Sequence, residues 1–286
     1  MAFVSGLMRW RCAAVEPVLT EAMDLDLITH AFDLALLQSA ARYDLSSQET
    51  RSQSAISLAG LFEAMVVRVV RPEVTLELGA HAARFSRGVK TVLPQAQVHA
   101  LEANPHTHAK FRPQVEGAGV SYHHLALGEE VKDCVFKVAR RRDGRELKPT
   151  QGSNSLRTKA QDIDYEDAPV KMVTVDHFAA EHGLAGRPTA LWIDVEGYAY
   201  EVLSGASRTL EDTQLLMIEV EDKEFWIGQK TAPAVKRLLI QAGFIPVARD
   251  FEFKSQYNVI FLRPALFEHF MIRRMLEQTF AGLSPV

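Results

Sequence analysis

Acidic residues stand where three apolar runs end, and their spacing points to ligand chemistry. In Val74-Thr-Leu-Glu77-Leu-Gly79-Ala80 an acid and a glycine close one run, and Val98-His-Ala-Leu-Glu102 closes a second on another acid, 25 positions after Glu77. That interval suits one strand-helix-strand unit, which puts both carboxylates at the carboxyl edges of neighbouring parallel strands, where such sheets bind nucleotide-like ligands. Glu102 is then placed to accept hydrogen bonds from a ribose diol, and an adenosine-type cofactor is the first expectation. A third run, Leu191-Trp-Ile-Asp194-Val-Glu196-Gly197, ends on two acids that share one side if the extended geometry continues, and Gly197 permits a sharp turn into a helix.

The glycines narrow the choice of cofactor. A dinucleotide oxidoreductase shows Gly-x-Gly-x-x-Gly after its first strand, so that backbone can approach a pyrophosphate. This chain has Gly79-Ala-His81-Ala-Ala83-Arg84, with a single glycine. A diphosphate fits poorly there, whereas a sugar carrying an uncharged or cationic arm needs less of that cradle. S-adenosylmethionine is such a cofactor, and acids such as Glu77 and Asp194 offset the cost of desolvating its sulfonium and amino groups.

These residues need a scaffold. Residues 1–70 read as a helical cap, with apolar groups at helical spacing in Leu25, Ile28, Phe32, Leu36 and Leu37 and again from Ile56 to Val69. Ser46 with Glu49 has the form of a capping box between them. The cap is read as packing over one sheet face, or else as a lid or a dimerisation element that would make a homo-oligomer. From Val74 to Leu127 strands and helices alternate, with Asn104-Pro105 as a helix start, which predicts a doubly wound, mostly parallel α/β sheet. Strands are expected at 122–127, 133–139, 170–175, 189–195, 214–220, 244–248 and 258–262. The polar stretch 140–169 is predicted to be a long loop or irregular insertion. A helix runs from Thr231 to Gly243, and an amphipathic helix over 264–281 closes the chain.

Composition limits the rest. The 286 residues are 47% hydrophobic, enough for one large domain with extensions, and 32 basic against 36 acidic residues give a net charge of −4, no footprint for nucleic acid. Cys12 and Cys134 lie far apart without a Cys-x-x-Cys spacing, so a reducing compartment is expected. Arg9 and Arg11 interrupt the first apolar residues, which have neither the order of a secretory signal nor the length of a span. A cytoplasmic protein without membrane attachment is the expectation.

The segment 191–206, ending in Leu203-Ser-Gly205-Ala206, resembles the Lys-Ile-Asp-x-Glu-Gly…Leu-x-Gly-Ala signature of FkbM-type S-adenosylmethionine-dependent methyltransferases. Glu77-x-Gly79-Ala80 is similar to that family's Asp-x-Gly-Ala-Asn, and Leu101-Glu102-Ala103-Asn104-Pro105 to its Phe-Glu-Pro-Asn-Pro. Val173-Thr-Val-Asp176, Gly243-Phe244 and Asn258…Phe261 match its later elements, so the likeness spans about residues 72–263. It implies a class I methyltransferase (Rossmann-like) domain over about 71–263. In it Glu102 would hold the ribose, and the turns Glu77–Ala80 and Glu102–Asn104, Ala103 included, would flank the cofactor. Asp194 would lie near its methionine arm or methyl group and Ala126 near its adenine. By the same resemblance the reaction is O-methylation of a hydroxyl on a sugar or small secondary metabolite.

The chain departs from the family at His81 and Ala83, where Asn and Gly are usual, and at Trp192, where Lys is usual. Ala83 is expected to crowd a cofactor at this turn, and the three departures motivate a second reading, a non-catalytic binding protein on the same fold. A nicotinamide-dependent oxidoreductase is a third. An acceptor hydroxyl needs a base as the methyl group transfers, and His81, Asp194 and Glu196 are the candidates. Glu219 with Glu221 or Asp222 has the chemistry to bind a divalent ion, yet such acid pairs are common at strand ends, and no metal is expected. Arg140-Arg141-Arg142 is read as a solvated turn.

Overall fold

The computed structural model describes residues 25–152, 154–281 and 283. The readings made on Arg9, Arg11 and Cys12 lie outside them. Among the described residues, eleven strands fall in two sheets: β1 (Val74–Leu78), β2 (Gln97–Glu102), β3 (Ser121–His124), β4 (Ala126–Leu127), β5 (Lys132–Arg142), β6 (Arg145–Glu146), β7 (Ile163–Val173), β8 (Thr189–Ile193), β9 (Thr213–Glu221), β10 (Ile245–Arg249) and β11 (Gln256–Leu262). Ten helices join them: α1 (Leu25–Ala40), α2 (Gln48–Ala64), α3 (Arg84–Val92), α4 (Pro105–Gly117), α5 (Val175–Glu181), α6 (Ala199–Ser204), α7 (Ser207–Asp212), α8 (Ala232–Gln241), α9 (Pro264–Phe267) and α10 (Phe270–Gln278).

The main sheet has the order β10-β11-β9-β8-β1-β2-β3, parallel except for β11, which runs antiparallel to both neighbours. The chain winds outward from β1 to β3, then returns to lay β8 on the other side of β1. This reversal makes a crevice at the carboxyl tips of β1 and β8, the ligand position of doubly wound sheets. Period-2 alternation builds a core on each face: Leu76, Leu78, Leu191, Ile193, Ile218 and Phe261 pack with α5 to α8, while Val98, Ala190, Met217 and Ile260 pack with α2, α3 and α10.

The expected helical cap is present from Leu25 onward, with differences in detail. Ser47, not Ser46, caps α2, its Oγ accepting the Thr50 N–H at 3.4 Å while Ser46 bonds to Asp44. The helix continues as a π-helical turn, Met65–Val70. Together, Gln48–Val70 is one helix long and apolar enough to cross a membrane, but Leu58, Leu61, Phe62, Met65 and Val66 of that stretch are buried in the second core. The single closing helix expected over 264–281 is broken into α9 and α10, with His269 capping the latter by accepting the Met271 N–H at 3.2 Å.

The larger correction concerns 122–175. The expected strand 122–127 breaks at Leu125: β3 stays in the main sheet while β4 joins a second, four-stranded sheet, β4-β7-β5-β6. Residues 140–169 are not a structureless insertion, because β5 and β7 form a long antiparallel pair that takes in Arg140–Arg142 and Ile163–Pro169. One face of that pair buries Phe136, Val138, Ala168, Val170 and Met172. Its exposed positions carry cross-strand ion pairs, Lys137–Asp167, Arg140–Glu166 and Arg141–Asp164, so the basic triplet is strand rather than turn. The expected strand 170–175 ends at Val173, where Thr174 caps α5 by accepting the His177 N–H at 3.0 Å.

Candidate functional site

The tips of β1, β2 and β8 are laced together by main-chain bonds. The N–H groups of Gly79 and Ala80 donate to Leu101 O at 3.0 and 2.9 Å, and the Asp194 N–H donates to Leu78 O at 2.8 Å. Gly79 has φ +78°, and a Cβ there would sit 1.7 Å from the Asp194 carbonyl oxygen. Only glycine permits this crossing.

Above these tips lies a cavity of about 290 Å³, closed on its far side by the second sheet and the loop that joins β6 to β7. Of the residues singled out by sequence, Gly79, His81, Glu102, Ala103, Asn104, Ala126, Asp194 and Glu196 are on its wall. Glu77 and Ala80 are not. The Glu77 carboxylate accepts the Ser86 N–H at 2.7 Å in the first turn of α3, and burial pushes its pKa up to about 7. Ala80 packs into the second core.

Glu102 is 7% exposed and its carboxylate is fixed from two sides. Oε2 accepts the His81 N–H at 2.8 Å and Oε1 accepts the Asn104 N–H at 2.7 Å. Burial raises its pKa, and these two N–H bonds oppose the rise by favouring the ionised form. A carboxylate oxygen accepts more than one hydrogen bond, so acceptor capacity remains toward the cavity. Asn104 caps α4, accepting the His106 N–H at 3.0 Å, and its side-chain amide donates to Pro149 O at 2.7 Å.

His81 serves the roof. Its ring Nε2 lies 2.8 Å from Thr150 O and therefore carries the proton, and the ring packs 4.9 Å from that of Phe111. With Nε2 donating to a carbonyl, the ring latches the roof loop, and Nδ1 is the nitrogen whose lone pair is left for the expected role as base. Ala83, with φ +47°, holds a left-handed conformation that glycine would adopt without strain, but its methyl group is wholly buried in the second core. It does not crowd the cavity. Trp192 likewise packs between Phe62 and Phe85, with ring centroids 5.9 and 5.1 Å away.

Asp194 follows the last residue of β8, and Glu196 has φ +46°, so the extended geometry does not carry on to align them. They meet all the same: carboxylate oxygens of Asp194, Glu196 and Glu219 from β9 lie within 4.8 Å of one another. Burial together with this crowding raises Asp194, Glu219 and Glu221. Asp194 is pushed up to about 6 and Glu221 to about 7, and Glu219, which shares a hydrogen bond with Asp194, is raised well above the ordinary carboxylate range.

The structure adds wall residues that the sequence reading missed: Thr107, Leu125, Phe136, Asn154, Leu156 and Tyr198. Asn154 fixes the roof loop, its Oδ1 accepting the Ala139 N–H at 2.8 Å and its Nδ2 donating to Gln151 O at 2.7 Å. Ser155 Oγ donates to Glu196 O at 2.6 Å, tying the roof to the acidic turn. The repeated Ser and Asn in Gln151-Gly-Ser-Asn154-Ser155 were the available signal for a side-chain-bonded loop.

The charge of the wall is one-sided. Its ionised carboxyl candidates are Glu102, Asp194 and Glu196, and no lysine or arginine lines it among the described residues. Such a wall opposes a pyrophosphate and suits a ligand bearing positive charge.

The methyltransferase FkbM domain profile matches residues 77–246, more than half of the chain. The 2-O-methyltransferase NoeI of Sinorhizobium fredii (strain NBRC 101917 / NGR234) is 26% identical over 184 residues, 58% of this chain and 70% of that protein. Among solved structures, a precorrin-6y C5,15-methyltransferase from Geobacter metallireducens GS-15 is 12% identical, covering 70% of this chain and 86% of that one with a TM-score of 0.38. The methyltransferase FkbM from Methylobacillus flagellatus KT is 11% identical, covering 65% of this chain and 42% of that one with a TM-score of 0.39. The chain belongs to the FkbM methyltransferase family.

Proposed function

We propose that this protein binds S-adenosylmethionine in the cavity above β1, β2 and β8 and methylates a hydroxyl oxygen on a carbohydrate or small secondary metabolite. The observation that carries the reading is a wall that has carboxyl groups and no lysine or arginine among the described residues, organised around Glu102, whose carboxylate is held in place for a ribose diol by the N–H groups of His81 and Asn104. When bound, the cofactor supplies a methyl group on a sulfonium centre. Leu101, Ala103, Leu125 and Phe136 give an apolar slot of the kind a nucleobase fills. Asp194 and Glu196 set negative charge where the cationic arm must lie, and Glu196 is the carboxylate to receive the acceptor's proton. The roof, latched by His81 and Asn154, covers one side of the cavity. NoeI is a 2-O-methyltransferase, which supports oxygen as the methyl acceptor. Because Ala83 and Trp192 sit in the core, two of the three departures that favoured a non-catalytic protein have no bearing on the cavity.

Titration calorimetry with S-adenosylmethionine, S-adenosylhomocysteine and NAD tests the reading. Both sulfur compounds are expected to bind and NAD is not. Binding of NAD, or of neither sulfur compound, would overturn the assignment.

A further inference from the structure

The acidic group beside the cavity extends beyond the residues that the proposed cofactor needs. Asp194 and Glu196 are on the cavity wall, while Glu219 and Glu221 project from the same face of β9, two residues apart. Lys159, seated 4.2 Å over the Trp226 ring, is a cation whose charge bears on Glu196, Glu219 and Glu221 together.

A second observation is independent of this crowding. Glu221 is 2% exposed; its Oε2 accepts the Gln229 Nε2–H at 2.9 Å, and its Oε1 is buried without a hydrogen-bond partner. A buried carboxylate oxygen left unsatisfied is costly, and its neighbours Glu196 and Asp194 are acceptors that cannot satisfy it when ionised. A cation, or water held on one, would.

We propose that Asp194, Glu196 and Glu219 bind a divalent cation of the Mg²⁺ or Mn²⁺ class, with Glu221 behind them accepting a hydrogen bond from a metal-bound water. Oxygen donors alone select hard cations. Metal–oxygen distances of about 2.0–2.6 Å set oxygens across one ion about 4–5 Å apart, and the oxygens of these three carboxylates, all within 4.8 Å of one another, fall inside that limit. Because two of the three ligands line the cavity, the ion has an open side toward an acceptor. There, resting on the proposed methyl transfer, it takes up the acceptor hydroxyl and eases loss of its proton. The O–H bond breaks with the proton passing to water at the open side of the ion rather than to the ligated Glu196, the methyl–oxygen bond forms, and the methyl–sulfur bond breaks to leave S-adenosylhomocysteine, so no redox partner is required.

Mn²⁺ titration of the full chain, followed by electron paramagnetic resonance, tests the site without reference to turnover. One equivalent of Mn²⁺ is expected to bind saturably, and Mg²⁺ is expected to displace it. Glu219→Gln should abolish this binding, and Glu221→Gln should weaken it about tenfold or more, as loss of a group supporting a ligand does. Calorimetry with S-adenosylhomocysteine on the same samples reports folding and the cofactor reading separately. Absence of saturable Mn²⁺ binding at millimolar concentration in protein that still binds S-adenosylhomocysteine would overturn the cation site and leave the methyltransferase reading standing. Equal Mn²⁺ binding by wild type and both variants would overturn it too, since the ion would then lie elsewhere.

Discussion

Glu77 and Glu102 look alike in the sequence and differ in the structure because of where each strand ends. Glu77 is followed by Leu78 within β1, so alternation turns its side chain toward α3, where it satisfies the Ser86 N–H. Glu102 is the last residue of β2 and projects at the sheet's edge. The acids at the strand ends were thus legible, but which of them faces a ligand depends on one residue of register. Glu196 shows the opposite case: alternation would have grouped it with Asp194, and a left-handed turn does so instead. Glu102→Ala removes the fixed acceptor while leaving the main chain of Asn104 and His81 in place. It is expected to weaken S-adenosylhomocysteine binding by about 1.5–3 kcal/mol, the range for hydrogen bonds to a charged group. Calorimetry on the variant checks this, and unchanged affinity would remove the ribose role from Glu102.

Among the elements, helices and buried parallel strands were readable because propensity, capping and hydrophobic period agree in them. Asn104-Pro105 opened α4 as expected, and Gly243, at φ +86°, follows α8. The β5–β7 pair was only half legible because its solvent face alternates Lys, Arg, Asp and Glu, which reads as polar loop until the partner strand is known. Its pairing is long-range, and no local signal specifies it. Histidines tell a similar story: His99 of β2, His123 of β3 and His182 beyond α5 come together, with His99 Nδ1 3.1 Å from His123 Nε2. Burial first, then the neighbouring His182, lowers His123 from an ordinary value of 6.5 to about 4, with His108 adding to the shift and Glu116 opposing it. His99 is lowered to about 4 by burial, then by His123, His182 and Lys90. Between about pH 6.5 and 4 the unfolded chain therefore binds more protons at these sites than the folded one, and their contribution to stability falls as pH falls through that window. His123→Gln removes one of these sites. Urea unfolding at pH 7 and pH 5 is expected to show a smaller loss on acidification in the variant than in the wild type; an equal loss would show that this cluster does not set the acid limit.

At the scale of the molecule, the cavity belongs to neither sheet alone. Its floor is the laced tips of β1, β2 and β8, and its roof is the loop after β6, held down by His81 on Thr150 O, Asn104 on Pro149 O and Ser155 on Glu196 O. Few apolar side chains from that loop enter a core, Leu156 being one that packs against the third cluster, so the roof is secured mainly by exchangeable polar bonds. Such segments open locally at low free-energy cost, whereas β8 and β9, buried on both faces, open only with the whole domain. A ligand spanning floor and roof must couple the two. S-adenosylhomocysteine at a hundred times its Kd is expected to raise the unfolding free energy by about 2.7 kcal/mol through binding linkage. Amide hydrogen exchange locates the effect: the amides of Gln151, Asn154 and Leu156 should slow together with those of His81 and Asn104. Exchange in α10, packed on the opposite side of the second core, should change only as global stability does. Slowing at the strand tips without slowing in the roof would mean that the ligand sits on the floor alone, and the second sheet would then have no part in enclosing it.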